Sequence, residues 1–181
     1  PICSTCYKIN VTKSGYSTDR TYDTTEVANP LSPHATVLEG QITSRTFSID
    51  QVSTIMLYSY GSRELGYPPI ANVIFTLRGT KLIGYTATDD PVYKYEKVLN
   101  TGGGIVSLSG LETDSYSLDL SLSNYMLAGS SPPFPLVVAP GTTQTAKIVC
   151  IPRTNVSYLV TVQSGSGGLL ASASATIQAT P

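Results

Sequence analysis

The amino-acid sequence predicts an all-β protein of the sandwich type. Apolar and polar residues alternate with a period of two in several short runs, which is typical of half-buried strands. Turn-forming sequences separate these runs, among them Ser14-Gly15, Pro68-Pro69 and Gly102-Gly103-Gly104. No run of about ten or more residues has the 3.6-residue period of an amphipathic helix. Short strands between such turns favour a sandwich or a barrel.

The same alternation predicts where individual strands lie. In chain order, the apolar positions of these runs are Tyr7, Ile9 and Val11; Phe47 and Ile49; Val73, Phe75 and Leu77; Tyr116, Leu118, Leu120 and Leu122; and Tyr158, Val160 and Val162. In each run the residues between these positions face the other side of the strand. We therefore expect strands throughout the chain, each with one apolar face.

The composition limits the classes of partner. Charged residues make up 13% of the 181 residues, and Lys and Arg (11) do not exceed Asp and Glu (12). Because there is no basic excess to neutralise phosphates, we expect no nucleic-acid partner. No apolar stretch approaches the roughly 18 residues of a membrane span, so we expect none in this chain. The low charge and the abundance of Thr and Tyr suit an extracellular or cell-surface β-protein.

Three cysteines are disulfide candidates. Cys3 and Cys6 form a C-x-x-C sequence, and Cys150 stands alone. A closed zinc site needs four ligands, and His34 is the only histidine, so no metal site is predicted. In an exported protein the sequence predicts a disulfide, either Cys3–Cys6 or a bridge from one of them to Cys150.

An internal repeat is the most informative feature of the sequence. Tyr7–Tyr16 resembles Tyr116–Tyr125, since both place two tyrosines at the ends of an alternating run with Gly or Asn before the second. Val37–Gly40 likewise resembles Val138–Gly141, and Val52–Ile55 resembles Val156–Leu159. A period of about 100 residues predicts one β-domain per repeat.

The phase of the repeat predicts three units. Residues 1–51 correspond to the C-terminal half of a sandwich repeat, 52–153 to a complete repeat, and 154–181 to the opening strands of a further one. Because half a sandwich cannot bury its apolar face, we expect 154–181 to complete 1–51. The completion can occur within one chain or between neighbouring chains, and the sequence equally allows a fragment of a longer protein. The candidate assembly residues are Val156, Tyr158, Val160, Val162, Ala175 and Ile177.

Residues 52–153 resemble the carboxypeptidase regulatory-like family, within the transthyretin-like and collagen-adhesin B-type sandwiches. The resemblance is carried, in order, by Val52–Tyr58, Pro69–Leu77, Gly103–Leu118 and Pro140–Val149, and residues 5–16 match the end of a preceding copy. It implies an immunoglobulin-like or transthyretin-like β-sandwich, repeated, with a split terminal repeat. Such domains are usually non-catalytic modules of surface proteins, pilin-like subunits and secreted enzymes, and some relatives bind starch. Some form Lys–Asn isopeptide bonds, but Val52–Tyr58 has no Lys and Leu120 replaces the acidic residue, so none is expected here.

The sequence predicts no catalytic residue and no cofactor. A histidine-dependent site would have to use His34, which lies between Pro33 and Ala35 and is expected in an exposed loop. The acidic pairs Asp89-Asp90 and Glu112/Asp114 are expected in turns. Gly102-Gly103-Gly104 lacks the Lys-Ser/Thr and the helix of a phosphate-binding loop.

The function predicted from these features is a non-catalytic structural or adhesive module of a cell-surface filament, pilus or stalk. Its expected partners are copies of itself or neighbouring repeats, with surface glycans as a further class. The alternative is a carbohydrate-binding or accessory domain of a secreted hydrolase. Its candidate ligand surface comprises tyrosines expected in or near loops, Tyr58, Tyr60, Tyr67, Tyr85, Tyr93 and Tyr95. Asn10 and Asn155 fit the N-glycosylation pattern.

Overall fold

The structure, a computed structural model, describes residues 3–153, 160–168, 170 and 172–176. Strands make up the regular structure of these residues, together with one short 3-10 helix, Arg63–Leu65. The strands are β1 Cys3–Tyr7, β2 Asn10–Val11, β3 Asp19–Arg20, β4 Asn29–Pro30, β5 Ala35–Val37, β6 Ser53–Tyr60, β7 Ile74–Arg78, β8 Leu82–Tyr85, β9 Pro91–Tyr93, β10 Glu96–Asn100, β11 Ile105–Leu111, β12 Asp114–Asp119, β13 Tyr125–Ser131, β14 Leu136–Val138 and β15 Thr143–Pro152. The prediction of an all-β protein is confirmed.

Two four-stranded sheets form the largest part of the structure. Sheet 1 has the strand order β10-β7-β12-β14, and sheet 2 has the order β11-β6-β15-β13. Neighbouring strands are antiparallel except for β6 and β15, which run parallel over seven paired residues, Thr143–Val149 on β15. The inward faces of both sheets contribute to one apolar core, an arrangement consistent with a β-sandwich.

The core consists of the alternate residues that the two-residue period predicts. On β6, Ile55 and Leu57 are buried while Met56 and Tyr58 are partly exposed. The largest buried side chains are Tyr116 of β12 and Phe75 of β7. The hydroxyl of Tyr116 donates to the backbone oxygen of Glu112 at 3.0 Å, so its polar end has a partner inside the core.

The predicted strands around Phe75 and Tyr116 are confirmed as β7 and β12. β12 ends at Asp119, however, and Leu120–Asn124 form a turn closed by Ser123 N–H donating to the Leu120 oxygen at 2.9 Å. The predicted strand at Phe47 and Ile49 is wrong, because residues 41–50 are irregular. A strand needs a hydrogen-bonded neighbouring strand as well as alternating apolar residues. Among the described residues, no strand pairs with this stretch. Tyr158 lies outside the described residues.

The N-terminal segment, residues 3–50, lies against one side of the sandwich. β1 pairs with β5 and β2 with β3, whereas β4 joins β8 and β9 in a three-stranded sheet. The backbone of the segment approaches β8 closely at Gly84, where a β-carbon would lie 2.5 Å from Val27 Cγ1. The buried apolar residues of this segment are Tyr22, Val27 and Ala35, a much smaller core than that of the sandwich.

The described C-terminal residues lie outside both sheets. A turn brings Ser164 N–H to the Gly168 oxygen at 2.8 Å and Leu170 N–H to the Val162 oxygen at 3.1 Å. Val160 and Leu170 are 50% and 48% exposed. A cavity of about 600 Å³ separates this turn from β13 and Phe134, so the contact with the sandwich is loosely packed.

Candidate functional site

A cleft with tyrosines in its wall lies on the outer face of sheet 2. Tyr58 and Tyr60, expected in or near loops, belong to the last residues of β6 and alternate outward from the buried Leu57 and Ser59. The cleft has a volume of about 330 Å³. Its described lining residues, here called the tyrosine cleft, are Tyr60, Tyr67, Gly129, Ser130, Ser131, Lys147 and Val149.

Strand register explains why these distant residues meet. Val149 of β15 lies beside Tyr60 of β6 on one side and opposite Gly129 of β13 on the other. Lys147 is two residues earlier on β15 and therefore points to the same outer face. Because glycine has no side chain, the space opposite Val149 stays open and forms the floor of the cleft.

Tyr60 and Tyr67 form the aromatic part of the cleft lining, and Tyr58 lies next to Tyr60 outside it. The rings of Tyr58 and Tyr60 are parallel within 3°, with centroids 6.3 Å apart. Tyr67 follows the 3-10 helix and Gly66, and its φ of 55° lies in the left-handed region that bulky residues rarely adopt. Tyr67 is 46% exposed, so its ring is accessible at the mouth of the cleft.

The other predicted ligand tyrosines lie elsewhere. Tyr85 is the last residue of β8 and Tyr93 the last residue of β9, so each lies beside a loop. The guanidinium of Arg78 covers the ring of Tyr93 at 4.6 Å. Tyr95 packs edge-on against Tyr116, with centroids 5.5 Å apart, and contributes to the core. The structure thus groups three of the six candidate tyrosines and separates the rest.

An ionic network occupies the crevice between the N-terminal segment and the sandwich. Glu112 is its centre, with its carboxylate 3.0 Å from Lys81 Nζ and 3.1 Å from Lys94 Nζ. Two carboxylates of the N-terminal segment complete it, Asp50 at 3.4 Å from Lys81 and Asp19 at 3.9 Å from Lys94. The network therefore links the segment electrostatically to the sandwich.

Burial strengthens this network. Glu112 lies in the short connection between β11 and β12, in line with the expected turn, and its side chain is only 9% exposed. Partial burial acts to lower the pKa of Lys81, but the hydrogen bond and charge of Glu112, together with Asp50, outweigh it and raise that pKa. The lysine is thus held in its charged form, which suits a structural ion pair better than a nucleophile.

His34 is not an exposed loop residue, which corrects the sequence-based expectation. Its side chain is 12% exposed, with Nδ1 3.0 Å from Thr21 Oγ1 and Nε2 3.9 Å from an Asp23 carboxylate oxygen. This order of acid, imidazole and hydroxyl is that of a catalytic triad. However, Thr21 is 1% exposed and its hydroxyl also accepts a hydrogen bond from Ile9 N–H at 3.0 Å, so no substrate can reach it.

Cys150 is a free thiol buried in the core, so the alternative of a bridge from Cys3 or Cys6 to Cys150 is wrong. Burial raises the pKa of Cys150 to about 11. The side chains of Cys3 and Cys6 lie outside the described part of the chain, and their disulfide stays a prediction. Asn10 is exposed on β2, as a glycosylation site requires, whereas Asn155 is outside the described residues.

Sequence reasoning missed Lys81, Lys94 and Lys147, because no local pattern marks the lysines that will lie near a carboxylate or line a cleft.

Within the described ranges, no group of three or more His, Cys, Asp or Glu side chains could hold a metal ion. The one helix there is too short to cross a membrane. No protein-family model matches the chain, and no curated protein or solved structure matches it at a significant level.

Proposed function

We propose that this chain is a non-catalytic structural or adhesive module of an extracellular filament, pilus or stalk, whose copies join by strand complementation. The observation that carries this proposal is a set of exposed apolar side chains on the N-terminal segment. Leu31, Leu38 and Ile42 are 58%, 45% and 98% exposed there. An interface between copies would remove these apolar side chains from water, which is favourable.

The proposed occupant of this surface is the C-terminal segment of a second copy. Val160 and Val162 alternate with Thr161 and Gln163, which gives that segment one apolar face. Val160 is half exposed, Ala175 is exposed, and the segment packs loosely against its own sandwich. Of the other predicted assembly residues, Val156, Tyr158 and Ile177 lie outside the described residues. Docking between copies would bury both apolar surfaces and extend the assembly head to tail.

We further propose that the sandwich is immunoglobulin-like, of the carboxypeptidase regulatory-like type, and that its architecture is repeated. A buried tyrosine that bonds the backbone a few residues upstream recurs in immunoglobulin-like sandwiches, and Tyr116 bonds Glu112 in this way. The repeat is supported by Gly40 and Gly141, which follow β5 and β14 with φ values of 70° and 66°. Both positions use glycine for a left-handed turn.

Molar mass in solution tests the assembly. Light scattering over a concentration series should give multiples of 19.2 kDa for the wild-type chain. Val160→Asp/Val162→Asp should give the single-chain mass, because two carboxylates cannot enter an apolar interface. Leu38→Asp/Ile42→Asp, which places the charges on the N-terminal segment, should also give the single-chain mass.

Thr161→Asp/Gln163→Asp is the matched control, since it adds the same charge to the other face of the segment. This variant should still assemble. A single-chain mass for the wild-type protein at every concentration would refute the proposal, as would equal loss of assembly in the control.

A carbohydrate-binding domain is the second candidate, and the tyrosine cleft favours it. Tyr60 and Tyr67 line a cavity together with a few polar groups, which is the mixture of aromatic and polar lining that small-ligand sites use. Binding of the wild-type chain on a glycan array, lost in Tyr60→Ala, would support this function.

A further inference from the structure

We infer that the tyrosine cleft binds an acidic saccharide, whose carboxylate is recognised by Lys147. The inference deepens the carbohydrate-binding candidate and does not depend on assembly. The volume of about 330 Å³ lies at the lower end of ligand sites, which span roughly 300–1,000 Å³. A site of this size suits a short saccharide unit better than a folded protein surface.

The walls of the cleft match the two faces of a sugar ring. Tyr60 and Tyr67 offer aromatic surfaces to the C–H face of a pyranose, and their hydroxyls offer donors and acceptors at the edge. The Ser130 hydroxyl accepts from Phe134 N–H at 3.3 Å, which leaves its own hydrogen to donate to a ligand. This combination of apolar faces with a few hydroxyls is what a polyhydroxylated ring needs.

The backbone at Tyr67 supports a binding role. A non-glycine residue at a φ of 55° is held in a sparsely populated backbone conformation. The preceding residue, Gly66, has a φ of 74°, which glycine adopts without steric cost because it has no side chain. Strained residues of this kind cluster at ligand sites, and here the strained residue lines the cleft.

The charge of the cleft selects an acidic ligand. Lys147 is the only charged residue among the described lining residues, and it belongs to none of the ion pairs of the described chain. Lys147 is exposed to solvent, and an ammonium without a carboxylate partner at an accessible cleft attracts an anionic group. A hexuronate supplies that group on the same ring that stacks on tyrosine.

Calorimetric titration with two matched probes tests the inference. The probes are a hexuronate tetrasaccharide and the same tetrasaccharide with its carboxyl groups reduced to alcohols. The wild-type chain should bind the acidic probe at least about tenfold more tightly than the neutral one, which corresponds to 1.4 kcal/mol. Tyr67→Ala should weaken both probes at least about tenfold, because Tyr67 stacks on the ring in either case.

Lys147→Gln should remove the preference for the acidic probe while retaining binding of the neutral one. Lys97→Gln, which neutralises a lysine on β10 of sheet 1, is the control and should leave both affinities unchanged. The titrations are repeated with Val160→Asp/Val162→Asp, so that loss of assembly and loss of sugar binding are read separately. Absence of binding to both probes, equal affinity for them, or an unchanged preference in Lys147→Gln would overturn the inference.

Discussion

The ammonium of Lys94 and the carboxylate of Glu112 lie 3.1 Å apart in the crevice where the N-terminal segment meets the sandwich. Glu112 follows β11 of the sandwich, and Lys94 reaches toward Asp19 of the N-terminal segment at 3.9 Å. The pair therefore stands where the small N-terminal core joins the larger one. Loss of the Glu112 carboxylate would leave Lys81 and Lys94 close together with less negative charge to neutralise them.

Glu112→Gln should lower the free energy of unfolding by about 1–3 kcal/mol. This range lies between the values for exposed ion pairs and for fully buried ones, because the network is partly open to solvent. Urea denaturation measures the change. Glu64→Gln, on the exposed 3-10 helix, is the control and should be neutral within about 0.5 kcal/mol. Equal stability of the two variants would show that the network contributes little.

Gly84→Ala should loosen the N-terminal segment. The added β-carbon would collide with the Asn29 backbone oxygen and would lie 2.9 Å from Pro30 Cα, so β4 could not keep its pairing with β8. Hydrogen exchange should accelerate at Leu31, whose N–H donates to the Ile83 oxygen at 2.9 Å.

Gly103→Ala is the matched control for that change, since no atom lies within 4 Å of its added β-carbon. Its exchange pattern over residues 27–31 should equal that of the wild-type chain. Unchanged exchange at Leu31 in Gly84→Ala would contradict the close approach of the two strands.

Asp114→Asn should destabilise the protein at neutral pH and much less in acid. Partial burial acts to raise the pKa of Asp114, but hydrogen bonds from Thr80, Lys81 and Ser115 outweigh it and lower that pKa. A lowered folded-state pKa adds stability above the unfolded value of about 3.9, and this stability disappears as the pH falls through the folded value. Solvent screens this partly exposed carboxylate, so we expect a loss of no more than about 1 kcal/mol at pH 7, which shrinks below about pH 4.

Urea midpoints at pH 7 and pH 3 measure this effect. Asp89→Asn is the control, because Asp89 lies in an exposed turn at a φ of 61°, which Asn also tolerates. A loss in Asp114→Asn that is the same at both pH values would show that the charge of Asp114 contributes nothing.

Cys150 should resist thiol reagents in the folded protein. In Cys3→Ser/Cys6→Ser it is the only remaining thiol, and its burial raises its pKa to about 11. At pH 8 the thiolate fraction is then about 100-fold smaller than for an ordinary cysteine, and access is blocked as well. Labelling with a chromogenic disulfide reagent should be slow until urea unfolds the chain. Rapid labelling without urea would place Cys150 at the surface.

The strand pattern of the sandwich could be predicted because alternation is a local property. Phe75 and Tyr116 point into the core because every second residue of their strands is apolar, and this alternation is visible in the sequence. The predicted turns at Ser14-Gly15 and Gly102-Gly103-Gly104 are also present, whereas Pro69 pairs with Tyr60 in an isolated bridge. The alternation at Phe47 and Ile49 is equally clear, but no neighbouring strand pairs with it within the described residues.

The amino-acid sequence by itself therefore determined the all-β class and the inward faces of the main strands. Tertiary structure alone decided which lysines meet Glu112 and which residues join Tyr60 in the cleft. Those contacts depend on strand order and register, since β15 brings Lys147 and Val149 beside β6 from a distant part of the chain. A local pattern specifies which face of a strand is apolar, but the identity of its neighbour is set by how the sheets assemble.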